Sequence, residues 1–284
     1  MNELILVQDG DRAVEIRQRA GGLLLRYVFQ PDTPRSEAPR PYAHPVCSLS
    51  GEVLTCFRPN DHPWHHGLSF TVNQVSGHNF WGGPTYYRDL GYRWMNDQGR
   101  QRHVSWGEMS PSRLQHTVAW EVGEKGQVLL DEKREIGMRL IDANSWEMTW
   151  RTLLKNVSGR PLVLGNYFSS QGLKGSHYTG LQFRGTRELL DEHGDARIGI
   201  FSQDGGSGEA EVHGAASNWM EWRTQKDTSL RRVAIRFLSR DPVHWFVRRH
   251  NPLAAFPFQY ERDLLLAPDA ELPIEHRLTF TDTP

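Results

Sequence analysis

Cysteine is nearly absent from the chain: Cys47 and Cys56 alone occur, too few for a disulfide framework, and their C-x8-C spacing is a poor metal signal. A surplus of charge of either sign is also missing. Lys and Arg total 33 against 34 Asp and Glu, a net −1 with histidine neutral, which argues against a nucleic-acid groove or an anionic membrane surface as the main partner. No apolar run approaches the roughly 18 residues of a membrane span, and the opening Met1-Asn2-Glu3 lacks the basic and apolar regions of a signal peptide. The expectation is a soluble, cytoplasmic protein with reduced thiols. Apolar stripes at helical spacing are nearly lacking, and no Gly-x-Ser-x-Gly elbow surrounds Ser169 or Ser170, so these serines read as a surface turn.

What the chain does carry is strand periodicity. Leu114, His116, Val118, Trp120 and Val122 alternate with polar or small neighbours, and Trp146, Met148, Trp150, Thr152 and Leu154 repeat the pattern. So do Val233, Ile235 and Phe237, and Ile274, His276, Leu278 and Phe280. Shorter candidates are Leu4–Val7, Val14–Gln18, Leu23–Phe29, Val53–Cys56, Leu68–Val72, Leu162–Asn166 and Leu181–Phe183, separated by turn signals such as Asp9-Gly10 and Gly82-Gly83-Pro84. Many short strands without βα alternation predict an all-β chain, a large antiparallel β-sandwich. Pro31–Pro45 reads as an extended crossing segment and Ser202–Gly208 as a loop; with no convincing linker, residues 1–284 are expected to form one domain.

Trp 10 and His 13 are high counts, a bias toward sugar stacking, metal binding or proton transfer. The densest feature is Arg58-Pro59-Asn60-Asp61-His62-Pro63-Trp64-His65-His66-Gly67. Pro63 suits a first helical position, Asp61 or His62 a cap, and Gly67 a left-handed end. In a single turn His62, His65 and His66 share roughly one face; in an extended segment His65 and His66 point to opposite sides and only one joins His62. Imidazoles held that close repel when charged, so they favour neutral forms that ligate a metal or accept a proton. His62 and His65 are the candidate ligands of a divalent ion, although H-x-x-H alone lacks the glutamate and full helix of a metalloprotease motif. The plainer reading is a histidine-rich turn packed on Trp64.

Further candidates surround this cluster. His44, between Pro41 and Pro45, cannot sit in a helix and is a possible second base beside His66. Among Glu108, Asp131, Glu132, Glu135 and Glu147, Glu132 is the favoured general acid, though spacing does not choose among them. Asn79 and Trp81, in Gly77-His78-Asn79-Phe80-Trp81-Gly82-Gly83, have the composition of a loop that contacts a hydroxylated ring. Tyr167, Gln171 and His177 are candidate cleft residues, Trp64 a candidate contact, and Arg248 a carboxylate clamp or ring stacker, with a charged rim as the plainer alternative.

Arg40-Pro41-Tyr42-x-His44-Pro45, Asp61-His62-Pro63-x-His65-His66-Gly67-Leu68, and Trp245-Phe246-Val247-Arg248 leading to Leu253-Ala254-Ala255-x-Pro257-Phe258 together resemble a bacterial PmoA-like family of unknown function. The resemblance covers about residues 40–83 and 241–281. The methane oxygenation in that family's label does not suit a chain without a spanning helix. What the resemblance implies instead is a β-supersandwich similar to galactose-mutarotase-like proteins, and a role in carbohydrate catabolism.

Three functions follow as expectations. The first is a carbohydrate-active enzyme of lyase or hydratase type acting on a sugar or keto-sugar: a neutral histidine removes a proton beside a carbonyl while a metal or second imidazole stabilises the enolate oxygen. The second is an aldose 1-epimerase-like isomerase with a histidine acid, a glutamate base and no metal. The third is a carbohydrate-binding protein without catalysis. In each, the partner is a small-molecule carbohydrate, with no nucleic acid and no membrane.

Overall fold

In a computed structural model, residues 3–195 and 197–284 are described. The four long alternating segments become the strands Arg113–Val122, Ser145–Asn156, Arg232–His244 and Glu271–Thr283 of a nine-stranded antiparallel sheet. Its order along the main path is Arg100–Ser110, Arg113–Val122, Gln127–Leu140, Ser145–Asn156, Glu271–Thr283, Arg232–His244, Ala216–Lys226 and Leu189–Leu190, with Gly199–Ser202 paired to Ala216–Lys226. An eight-stranded sheet runs Leu4–Asp9, Ala13–Gln18, Leu23–Val28, Tyr42–Val46, Leu68–Thr71, Gly180–Arg184, Leu253–Phe256 and Phe246–Arg248. Smaller sheets are built from Leu264–Leu266, Leu162–Gly165, Gln74–Val75 and His78–Asn79, and from the hairpin Thr85–Tyr87 with Gly91–Arg93.

The apolar phase of each strand decides which face meets the other sheet. Trp146, Met148, Trp150 and Leu154 are all buried, and pairing sets Trp150 opposite His276 and Met148 opposite Leu278. Across the two sheets Phe183 meets Trp222 at 5.7 Å and Phe237 at 5.5 Å between ring centroids, near edge-to-face, a favoured aromatic arrangement. One sequence expectation fails here: Val53–Cys56 makes only isolated bridges, Cys47 to Val53 and Thr55 to Gly185, rather than a strand. Cys47 and Cys56 are both free, and among the described residues no helix is long and apolar enough to cross a membrane.

The interior also holds charge. Glu132 and Arg134 lie on the same face of Gln127–Leu140, both fully buried. The Glu132 carboxylate accepts from Arg134 Nε and Nη2, both at 2.7 Å, from Trp120 Nε1 at 2.9 Å and from Thr152 Oγ1 at 2.9 Å. Arg134 donates further to Tyr27 Oη and Gln101 Oε1. Every strong acceptor site of the carboxylate is engaged, which is how a buried ion pair offsets its desolvation.

Candidate functional site

The loop after Phe57 folds into two successive turns, with His62 N–H donating to Pro59 O and His65 N–H to His62 O, both at 3.0 Å. No helix forms there. Of the two arrangements open to the sequence, the extended exit holds: His65 joins His62, their rings stacked 4.9 Å apart at 22°, while His66 turns the other way. Gly67 closes the turn at φ 52°, and a Cβ there would sit 2.4 Å from Ala43 O, so the left-handed glycine is required.

Two tryptophan loops are tied from below by Arg40, a fully buried guanidinium. It donates to Trp64 O at 2.8 Å, Trp81 O at 3.0 Å, Ala38 O at 3.1 Å, Glu37 O at 3.2 Å and Ser69 Oγ at 3.1 Å. Burial pulls its pKa down to about 9. Asn79, also buried, accepts from Trp81 N and Gly82 N at 2.9 Å and donates to Gly83 O and Thr85 Oγ1. Gly82 and Gly83 then press their backbone against Trp64: a Cβ on Gly83 would lie 2.4 Å from the indole.

Between these loops and the far end of the eight-stranded sheet opens a cavity of about 610 Å3, within the size range of small-molecule sites. Trp64, Trp81, Tyr92, Tyr178 and Phe246 form its aromatic walls, and His62, His65, Arg184, Arg248, Glu209, His250 and Asn251 supply polar groups. Trp81 packs on Tyr178 with centroids 4.7 Å apart, and exposed Trp94 leans edge-on against Trp64 at 6.0 Å.

The electrostatics favour a neutral His65. It is buried, and burial holds its pKa well below the usual histidine value, with the positive charge of Arg184 adding to the effect. His62 Nδ1 stands 2.9 Å from Asp61 Oδ2. Burial raises the Asp61 pKa, but the His62 contact and the charges of Arg184 and Arg187 outweigh it, leaving the carboxyl below its ordinary range. Arg248 is already engaged: it donates to His213 Nδ1 at 3.0 Å and Gly175 O at 3.0 Å, and lies 3.4 Å from Glu209 Oε1. Arg184 is different. Its side chain is 1% exposed, and Nε and Nη2 are buried without a hydrogen-bond partner; Asp61 Oδ1 stands 3.7 Å from Nη2.

The structure thus brings His62, Trp64, His65, Trp81 and Arg248 to one cavity and sends the other candidates elsewhere. His66 is wholly buried, 3.0 Å from Glu37 Oε2 and close to Tyr42 and Phe57; burial takes its pKa down to about 4. His44 lies 3.0 Å from Thr55 Oγ1 and stacks on Phe57. Glu132 is corrected from general acid to core ion-pair partner, because its acceptor sites are all occupied inside the sandwich. Asn79 shapes the Trp81 loop rather than facing the cavity. Tyr167 and Gln171 sit on the short helix Tyr167–Gln171, the first 3.4 Å from Asn79 Nδ2 and the second accepting from Arg88 N. His177 is sandwiched between Phe168 and Tyr260 at 4.1 and 4.0 Å. Among the described residues no three His, Cys, Asp or Glu side chains gather to hold a metal ion.

The fold and site define an antiparallel β-sandwich with an aromatic-walled cavity bearing histidine and arginine. The chain belongs to a family of unknown function, DUF6807, whose profile matches residues 15–284; nothing in that match supports the PmoA-like label. No curated protein sequence matches the chain. Among solved structures, it is similar to a GH36 α-galactosidase from Geobacillus stearothermophilus in complex with raffinose, at 11% identity and a TM-score of 0.39, over 99% of this chain and 41% of that one. It is similar also to a GalM/aldose epimerase homologue from C. elegans, at 11% identity and a TM-score of 0.32, over 100% of both chains. The chain therefore spans well under half of the galactosidase.

Proposed function

We propose that this protein is a carbohydrate-active enzyme that moves a proton at a sugar ring stacked between Trp64 and Trp81, with His65 as the base. The observation that carries the reading is the placement of a buried, neutral imidazole beside a guanidinium whose Nε and Nη2 make no hydrogen bond, on the wall of an aromatic cavity. A ring with C–H groups on its faces and hydroxyls at its edge suits aromatic walls with polar ends. Beside a carbonyl a ring C–H is acidic: His65 takes the proton, the C–H electron pair moves toward the carbonyl carbon, and the oxygen that gains charge faces Arg184. Elimination or hydration at a neighbouring glycosidic bond can follow. His62, set by Asp61, is the partner that returns a proton.

A second reading, 1-epimerisation, is favoured by Glu209, which lines the same cavity as the two histidines and takes the carboxylate role that Glu132 cannot fill. Incubating the protein with mono- and disaccharides and their keto forms in D2O, and following ring protons by NMR, tests both. Deuterium entering at a carbon next to a carbonyl, and lost in His65→Gln, supports the first; anomeric interconversion without carbon exchange supports the second. Binding without either reaction refutes both and leaves a binding protein. A chelator series run alongside reads whether a divalent ion takes part.

A further inference from the structure

The charges tied to the cavity do not balance. Arg184 and Arg248 line it against one carboxylate, Glu209, with Arg40, Arg58, Arg187, Glu37 and Asp61 behind them. Arg58 lies 2.8 Å from Glu37, Arg187 2.8 Å from Asp61, and Arg248 3.4 Å from Glu209. Arg40 spends its hydrogen bonds on carbonyls and one hydroxyl, a built-in clamp. Arg184 lines the cavity with only a share of Asp61, 3.7 Å away and already paired with Arg187, and with no hydrogen bond from its Nε or Nη2.

A buried guanidinium without hydrogen-bond acceptors forfeits solvation that a carboxylate 3.7 Å away only partly restores. The strand Gly180–Arg184 fixes this arrangement, since alternation sends Phe183 into the core and Arg184 to the opposite face. A planar guanidinium on a cavity wall matches a carboxylate, which it can receive through two parallel N–H···O bonds. A phosphate is met better by several cations or a helix N-terminus, and Glu209 and Asp61 would repel its second charge.

We infer that the ligand of this cavity is an acidic sugar, a uronate whose ring lies between the tryptophans and whose carboxylate is received by Arg184. This rests on the carbohydrate reading above and narrows it. The negative oxygen facing Arg184 then belongs to the carboxyl group, and the C–H next to it is the bond that His65 addresses.

Calorimetry with D-glucuronate and D-galacturonate, their neutral parents D-glucose and D-galactose, and glucose 6-phosphate tests the inference. The uronates are expected to bind at least about tenfold more tightly than the neutral sugars, with that preference lost in Arg184→Gln and partly kept in Arg184→Lys, which retains the charge without the fork. Arg184→Gln gives up no hydrogen bond from Nε or Nη2 and one long contact to Asp61, so folding is expected to survive, and unchanged circular dichroism verifies it; Arg184→Lys serves as the readout if the glutamine variant fails to fold. Equal affinity for acid and neutral sugars, a preference that survives in Arg184→Gln, or tighter binding of glucose 6-phosphate than glucuronate overturns the inference but spares the carbohydrate reading. Neutral and acidic sugars and glycosides all failing to bind overturns both.

Discussion

Replacing Glu132 with glutamine separates a structural carboxylate from a chemical one. In the folded protein this carboxylate accepts four hydrogen bonds of 2.7 to 2.9 Å, two of them from Arg134, with both side chains fully buried. Glutamine keeps the shape, but removes the negative charge and turns one acceptor oxygen into an NH2 that faces a donor. Arg134 is then a buried cation without its counter-ion. Breaking a buried pair in this way costs about 3–5 kcal/mol, and at roughly 2 °C per kcal/mol for a chain of this length the melting temperature should fall by roughly 6–10 °C. Thermal unfolding followed by circular dichroism gives the shift. Glu132→Leu combined with Arg134→Met removes both charges and should regain most of the loss, since apolar pairs of similar volume often replace buried ion pairs at little cost. A Glu132→Gln protein that melts with the wild type but no longer exchanges deuterium into its sugar would refute this reasoning and restore Glu132 as an acid.

Two other perturbations follow from the same geometry. His66 and His276 are buried with pKa values brought down by burial to about 4 and about 3. Above about pH 6.5 neither state takes up a proton at these rings and their burial adds no pH-dependent cost; as pH falls below 6.5 the unfolded chain is protonated first, so stability drops by about 1.4 kcal/mol per pH unit for each ring. Melting temperatures from pH 7.5 to 4.5 should decline accordingly, and His276→Leu should flatten the decline; an unchanged slope in that variant counts against the assignment. Gly83→Ala, at φ 72° with its new Cβ 2.4 Å from the Trp64 indole, should cost about 1–3 kcal/mol and shift tryptophan fluorescence. Gly10→Ala, at φ 63° in open space, carries the backbone strain without the clash, so equal losses in the two variants would show that Trp64 is not held by Gly83.

Local patterning made the strands legible, because a one-residue slip exposes a whole face. It also made half of the site legible: His62, Trp64 and His65 arrive within one turn, and Trp81 comes from a glycine-flanked loop. Glu132 was misread although its own strand held the answer, since Leu130, Glu132, Arg134 and Ile136 share one phase and that phase is buried. His177 failed likewise; Ser176 and Tyr178 on either side of it meet the cavity. Arg184, Tyr178 and Glu209 come from segments more than 100 residues beyond the histidine turn, and no spacing rule joins them to it. One signal was available for Arg184, a charge ending the run Leu181-Gln182-Phe183 in phase with polar Gln182.

Arg40 has a consequence for how this scaffold can diversify. Because a single side chain underneath grips the main chain of both indole-bearing loops, the width of the slot is set by the scaffold and does not depend on an occupant drawing its walls together. Variation in what the family accepts should then concentrate at the opposite rim, in the Tyr92 hairpin and around Glu209 and His250, where side chains can change without loosening the joint.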